Sequence, residues 1–186
     1  MASVEQANKL MTVEEFRQRS PSNSPDELVQ GKVVEMNVPR FKHGNAITRV
    51  SRILDEFQEK LELGHVTAGD SGVITGRSPD TLRGADVAYF SYERIPKDDE
   101  PIDYPEVSPE VVFEIRSPSE RWAKVIEKVA EYLNAGVLRV CVIDPPTRTI
   151  HVYLPDQPAF QLTEDKELTL PEMHADFREK VSRFFP

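Results

Sequence analysis

The chain has 186 residues and a formal net charge of −9. That length suits one domain with a proper core, and that charge excludes a non-specific nucleic-acid coat while leaving room for a nuclease with a local positive patch. The single cysteine, Cys141, excludes a disulfide framework and a cysteine-rich zinc site and points to an intracellular, cytoplasmic setting. No apolar run reaches the roughly 18 residues of a membrane span, the first ten residues lack a secretory pattern, and the four histidines have no metal-ligand spacing.

Residues 1–11 read as a loose or short helical lead. Met11–Arg19 follows as a short helix capped by Thr12, with Glu15 placed for a capping box. SPSNSP (20–25) breaks it. Residues 26–38 read as two short strands around a turn at Gln30–Gly31, with Glu27 opening the first strand and Glu35 inside the second. Over 41–63, Ile47, Val50, Leu54, Phe57 and Leu61 recur at helical spacing, and Gly64 is a natural stop. Two strands are expected at 65–74 and 85–92, separated by a polar loop with Gly76, Pro79 and Gly84. Residues 93–109, rich in prolines and acids, read as an irregular loop at the rim of a cleft.

The stretch from Glu110 to Pro145 organises the rest. EVVFEIR (110–116) reads as a strand, and 117–136 as a helix with Ser117 as cap, Pro118 in the first turn and Glu120 completing a capping box. Trp122, Val125, Ile126, Val129 and Leu133 form its apolar stripe, and Gly136 ends it in a left-handed turn. VLRVCVID (137–144) is a buried strand stopped by Pro145–Pro146. Strand, helix and strand make a crossover unit, hence an α/β sheet with at least one covered face. A strand at 147–154, smaller strands at 159–162 and 167–170, and an amphipathic helix over MHADFREKVSRFF complete the chain. One domain is expected, with its core over 26–154, a helix at 11–19 before it and small strands and a helix over 155–186 after it.

Alternation puts Val111, Phe113 and Ile115 on the core face of their strand and Val112, Glu114 and Arg116 on the other. Glu114 is thus a carboxylate inside an apolar strand, which needs a partner, a metal or solvent through a cleft. It forms either a strand-end ion pair with Arg116 or a ligand. Asp86, in ADVAYF, has the same character and is either a strand-edge cap or a ligand. Two carboxylates from different strands are the minimum for holding a divalent cation. On the helix, Arg121, Lys128 and Tyr132 lie along one border of the apolar stripe, near the end of the Glu114 strand, where they could meet a metal site or a substrate phosphate. The plain alternative for Lys128 is a solvated lysine.

ELVQGKVVEM, then His-Gly before a long helix, then RGADV, VVFEIRSPS, Lys128, Tyr132 and GV…VIDP occur in an order and spacing that resembles the Uma2 family of restriction-endonuclease-like proteins, within the PD-(D/E)XK nucleases. The likeness covers roughly residues 11–184. It implies a restriction-endonuclease-like core, a mixed central sheet flanked by helices with a peripheral N-terminal hairpin, and Mg²⁺-dependent cleavage of phosphodiester bonds, with Mn²⁺ able to substitute and DNA as partner. The family's acids match Glu27, Asp86 and Glu114, which the resemblance makes metal ligands converging at one edge of the sheet, and its helix lysine matches Lys128. Arg116 stands at the lysine of the fold's E-x-K, for phosphate clamping or an ion pair with Glu114, and His43, just before the long helix, is either a substrate contact or a structural residue. Departures from the pattern (Asp26, Lys32, Ala85, Lys124, Val140 and Cys141) leave every expected ligand in place. A two-fold dimer is the expected assembly. The competing expectation is a catalytically weak or inactive nuclease fold serving as a nucleic-acid-binding or structural module.

Overall fold

A computed structural model describes residues 10–19 and 26–186. The lead over residues 1–9 and the SPSNSP break lie outside the described residues.

A short helix α1 (Val13–Arg17) opens the described chain, with the expected capping box between Thr12 and Glu15. Strands β1 (Asp26–Val29) and β2 (Lys32–Glu35) form the hairpin around Gln30–Gly31. Helix α2 spans Phe41–Leu61. Its end is set by Glu62 in the left-handed conformation, not by Gly64, which already opens β3. Strands β3 (Gly64–Gly76) and β4 (Thr81–Ser91) form a long hairpin, so Gly76 and Gly84, expected in a loop, lie within strands. The region between β4 and β5 (Val111–Ile115) is irregular, as expected.

Helix α3 (Trp122–Asn134) and β6 (Arg139–Asp144) complete the crossover, and β5 and β6 pair in parallel. The helix starts five residues later than expected. Its cap is Arg121, without a side-chain hydrogen bond, and the Ser117 capping box does not form. The reason is local: Arg116 Nη1 donates to the carbonyls of Ser117 and Glu120, and carbonyls used that way are held out of a first helical turn. Val125, Val129 and Tyr132 are buried while Ile126 is 43% exposed, so the inner stripe is rotated towards Tyr132. Gly136, at φ +98°, ends the helix as expected.

Strands β7 (Thr149–Tyr153) and β8 (Phe160–Leu162) extend the sheet, giving the order β2-β1-β4-β5-β6-β7-β8 with β3 paired to β4. The mixed sheet flanked by helices is the α/β core expected. On one face, α2 packs Ile47, Val50, Ile53 and Leu54 against Val87, Tyr89, Val111, Phe113 and Ile115. On the other, α3 packs Val125, Val129 and Tyr132 against Ala88, Val112, Val140 and Val142. The C-terminal segment is not an α-helix. Strands β9 (Glu167–Thr169) and β10 (Arg178–Lys180) pair antiparallel, and a single 3-10 turn follows at Val181–Phe184. Phe177, Val181, Phe184 and Phe185 have helix-like spacing, yet they reach the α2-side core from the two ends of β10 and the tight turn after it, with Phe184 stacked 6.0 Å from Phe113. Pairing with β9 outweighs the local period. No helix among the described residues is long and apolar enough to cross a membrane.

Candidate active site

Asp86 lies mid-strand in β4 and Glu114 near the end of β5. Val87 and Phe113 are the last pair of the β4–β5 ladder, and Asp86 and Glu114 follow directly after it on the two strands. The strands part at this point. Asp86 Oδ2 accepts from the Ile115 amide at 2.6 Å, and Oδ1 lies 2.9 Å from His43 Nε2. His43 sits in the first turn of α2, and the bond to Asp86 raises its pKa above the ordinary imidazole value.

Glu114 is ringed by donors. Lys128 Nζ donates to Glu114 Oε2 at 3.0 Å and to the Gly84 carbonyl at 2.8 Å, and the Tyr132 hydroxyl donates to Glu114 Oε1 at 2.8 Å. Burial, with the charge of Asp86, pushes the Glu114 carboxyl up to about 8, against the pull of Lys128. Burial opposes the Lys128 charge, but Glu114, Glu27 and Asp86 outweigh it and hold the ammonium above its ordinary pKa. Lys128 is therefore a buried cation at the centre of the network, not a solvated helix residue.

Glu27 pairs with two cations. Its Oε2 accepts from Arg83 at 2.8 Å, while its Oε1 accepts from the Gly84 amide at 3.0 Å and lies 3.3 Å from Lys128 Nζ. Although burial opposes it, those two cations hold its carboxyl below the ordinary value. Arg83 in turn binds Glu131 of α3 through Nε at 2.5 Å and Nη2 at 2.8 Å.

Arg116 departs from expectation, pairing with the buried Asp144 of β6 at 2.8 Å instead of with Glu114. Tyr132 is fully buried behind Glu114 and is no substrate contact; its phenol pKa is pushed up by burial and by Glu114. Arg121 is exposed at the start of α3. The structure thus brings Asp86, Glu114, Lys128, Glu27, Tyr132 and His43 together and gives Arg116 a partner of its own.

Asp70 was not foreseen. It lies at the break in the β3–β4 register, where Gly69 and Asp70 both have positive φ, inside the stretch expected as a plain strand at 65–74. Gly84 lets it approach: a Cβ there would lie 3.0 Å from the Asp70 Cβ. Burial and the charge of Asp86 raise the Asp70 pKa. Arg83, Glu131 and Asp144 were also missed, since each partner is remote in sequence.

Among the described residues no group of three or more His, Cys, Asp or Glu side chains is arranged to hold a metal ion. A cavity of about 720 Å³ lies elsewhere, between β3 and residues 100–105. A crevice of about 10 Å³ is lined by Glu114, Arg116, Glu120, Val125, Lys128 and Val142, room for about one water. The convergence of charge, not cavity size, marks the site.

Comparison with known proteins bears on the family and the fold. Residues 13–182 match the Uma2 family, described as "Putative restriction endonuclease". A solved structure from Anabaena variabilis ATCC 29413, described as a "putative nuclease belonging to DUF820", superposes with a TM-score of 0.81 at 20% identity, covering 94% of this chain and 97% of that one. It shares the fold. No curated protein matches the chain.

Proposed function

The chain belongs to the Uma2 family, and from that premise we propose that it is a Mg²⁺-dependent endonuclease that hydrolyses phosphodiester bonds of DNA. The observation that carries the reading is Asp86 and Glu114 on adjoining strands where the sheet opens, with the Lys128 ammonium 3.0 Å from Glu114. The donor set fits the ion. Mg²⁺ is commonly held by one or two carboxylates and keeps several waters, and Glu114 and Asp70 are both pushed up by burial beside the Asp86 charge.

Asp86 and Glu114 would hold the ion, and Mn²⁺ suits the same oxygens. When bound, it would neutralise phosphate charge and acidify a water. Lys128 stays protonated and so is no base; it stabilises charge developing on the phosphate oxygens and orients the attacking water. Glu27 keeps Lys128 in place, and Tyr132 fixes the Glu114 carboxylate. His43 fixes the Asp86 carboxylate from the side opposite the Ile115 amide. Arg116 belongs to the frame, because clamping a phosphate would break its pair with Asp144.

Glu114→Gln tests the assignment. It removes the ligand charge at nearly constant volume, so Mg²⁺-dependent cleavage of plasmid DNA should disappear while circular dichroism stays unchanged. Cleavage at the wild-type rate in this variant would refute the ligand assignment. A wild-type protein that neither binds Mg²⁺ by calorimetry nor cleaves DNA would refute the nuclease reading and favour the inactive module.

A further inference from the structure

The segment joining the hairpin to α2 exposes an unusual amount of apolar surface. Phe41 is 87% exposed, the most exposed aromatic side chain among the described residues, and Val38 is 73% exposed. Met36 and, on edge strand β2, Val33 and Val34 are exposed beside them. Single exposed apolar residues are ordinary, but five within nine positions, led by Val38 and Phe41, are a local concentration that calls for a partner.

Charge identifies the partner. From Lys32 to His43 the chain carries Lys32, Arg40 and Lys42 against the single acid Glu35, in a protein whose net charge is −9. Neither Arg40 nor Lys42 forms an ion pair with another described residue, and the first turn of α2 holds no acid. A basic strip on an acidic protein complements a polyanion. It is also continuous with the site: β2 pairs with β1, which carries Glu27, and two residues after Phe41 the His43 ring meets Asp86.

We propose that Arg40, Phe41 and Lys42 form the docking strip for an unpaired nucleic-acid strand entering the site, with Phe41 stacking on a base and the two cations taking the flanking phosphates. This rests on the nuclease reading and specifies its substrate as single-stranded or locally opened. A free aromatic face can stack on a splayed base but not on one held inside a duplex.

The test uses the full chain in EDTA, so that nothing is cleaved, with a fluorescent single-stranded oligodeoxynucleotide and its duplex as probes in anisotropy titrations over a range of salt. Phe41→Ala should weaken single-strand binding about tenfold, within the range for one base–aromatic stack, leaving duplex affinity and the salt slope unchanged. Phe41→Trp should restore binding, with quenching of the new indole. Arg40→Ser with Lys42→Ser should lower the single-strand salt slope by about 1.4, or about 0.7 per phosphate. Wild-type single-strand affinity in Phe41→Ala, or equal losses on both probes, would overturn the proposal. So would a wild-type dimer in sedimentation that Phe41→Ala converts to monomer, since the patch would then join two copies of the chain. Phe41-independent binding in an enzyme that still cleaves sinks this inference alone, whereas a wild-type protein binding neither probe sinks the nuclease reading with it.

Discussion

Replacing Lys128 by Met keeps the aliphatic stem and removes the charge at the centre of the network. Lys128 donates to the Gly84 carbonyl and Glu114 and lies 3.3 Å from Glu27. Below pH 8 the Glu114 carboxyl, pushed up to about 8, holds its proton in the folded wild type. The loss there comes from the Gly84 carbonyl and from Glu27, which keeps Arg83, and amounts to about 1–3 kcal/mol. Above pH 8 the wild type releases the proton against Lys128, while the variant retains it. Its folded state then binds one more proton than its unfolded state, so its stability falls relative to wild type by about 1.4 kcal/mol per pH unit. Urea unfolding at pH 6, 8 and 9 reads this directly: a gap steady from 6 to 8 and wider by about 1.4 kcal/mol at 9. Single-turnover cleavage should fall roughly 10²–10⁴-fold, while Mg²⁺ binds more tightly once the neighbouring cation is gone. A gap that does not widen refutes the coupling to Glu114. Stability within about 0.5 kcal/mol of wild type with an unchanged rate would return Lys128 to the solvated class.

Mg²⁺ affinity should depend on pH through the same carboxyl: because Glu114 must lose its proton to ligate, apparent affinity should rise up to tenfold per pH unit towards pH 8 and level off above it. Calorimetry in buffers of different ionisation enthalpy should show a proton released at pH 7, and a flat profile would exclude Glu114 as ligand. Arg116→Met should cost about 3 kcal/mol, because Asp144 is 2% exposed and keeps only the Thr147 hydroxyl as side-chain partner. It should leave single-turnover cleavage largely intact under conditions where the variant is folded, and a large rate loss there would restore Arg116 to the reaction.

The residues legible in the sequence were those whose local setting is costly. Glu114 stands out in VVFEI because an acid among buried apolar residues needs compensation, and Asp86 stands out in ADVAYF for the same reason. Alternation assigned the faces of β5 correctly, since Phe113 packs towards α2 and Val112 towards α3. The partners were not legible. Nothing in SERWAK says that Arg116 will take Asp144, 28 residues on, or that its guanidinium will occupy the carbonyls a Ser117 cap needs free. Asp70 falls unmarked within the strand expected at 65–74, and only pairing of β3 with β4 brings it beside Gly84 and Asp86. The C-terminal segment shows the converse, a helical period in Phe177, Val181 and Phe184 whose side chains are buried from either side of a short paired strand.

Charge explains why the site needs residues that do no chemistry. Glu27, Asp70, Asp86, Glu114 and Glu131 face two permanent cations, Lys128 and Arg83, and one imidazole, His43. With every carboxyl ionised, the set has two negative charges in excess when His43 is protonated, and three when it is not. Glu27 and Glu131 add to that excess, yet they are what hold Arg83 and Lys128 in position. The surplus left over falls on Asp70, Asp86 and Glu114, where burial first and the Asp86 charge second raise the pKa values of Asp70 and Glu114. A proton relieves it at low pH, and a divalent cation would relieve it without protonating the ligands. On the nuclease reading, such a centre would repel a phosphodiester from the scissile position until a cation was bound, so metal would precede the scissile phosphate there, while a strand could still dock at Arg40–Lys42 without metal.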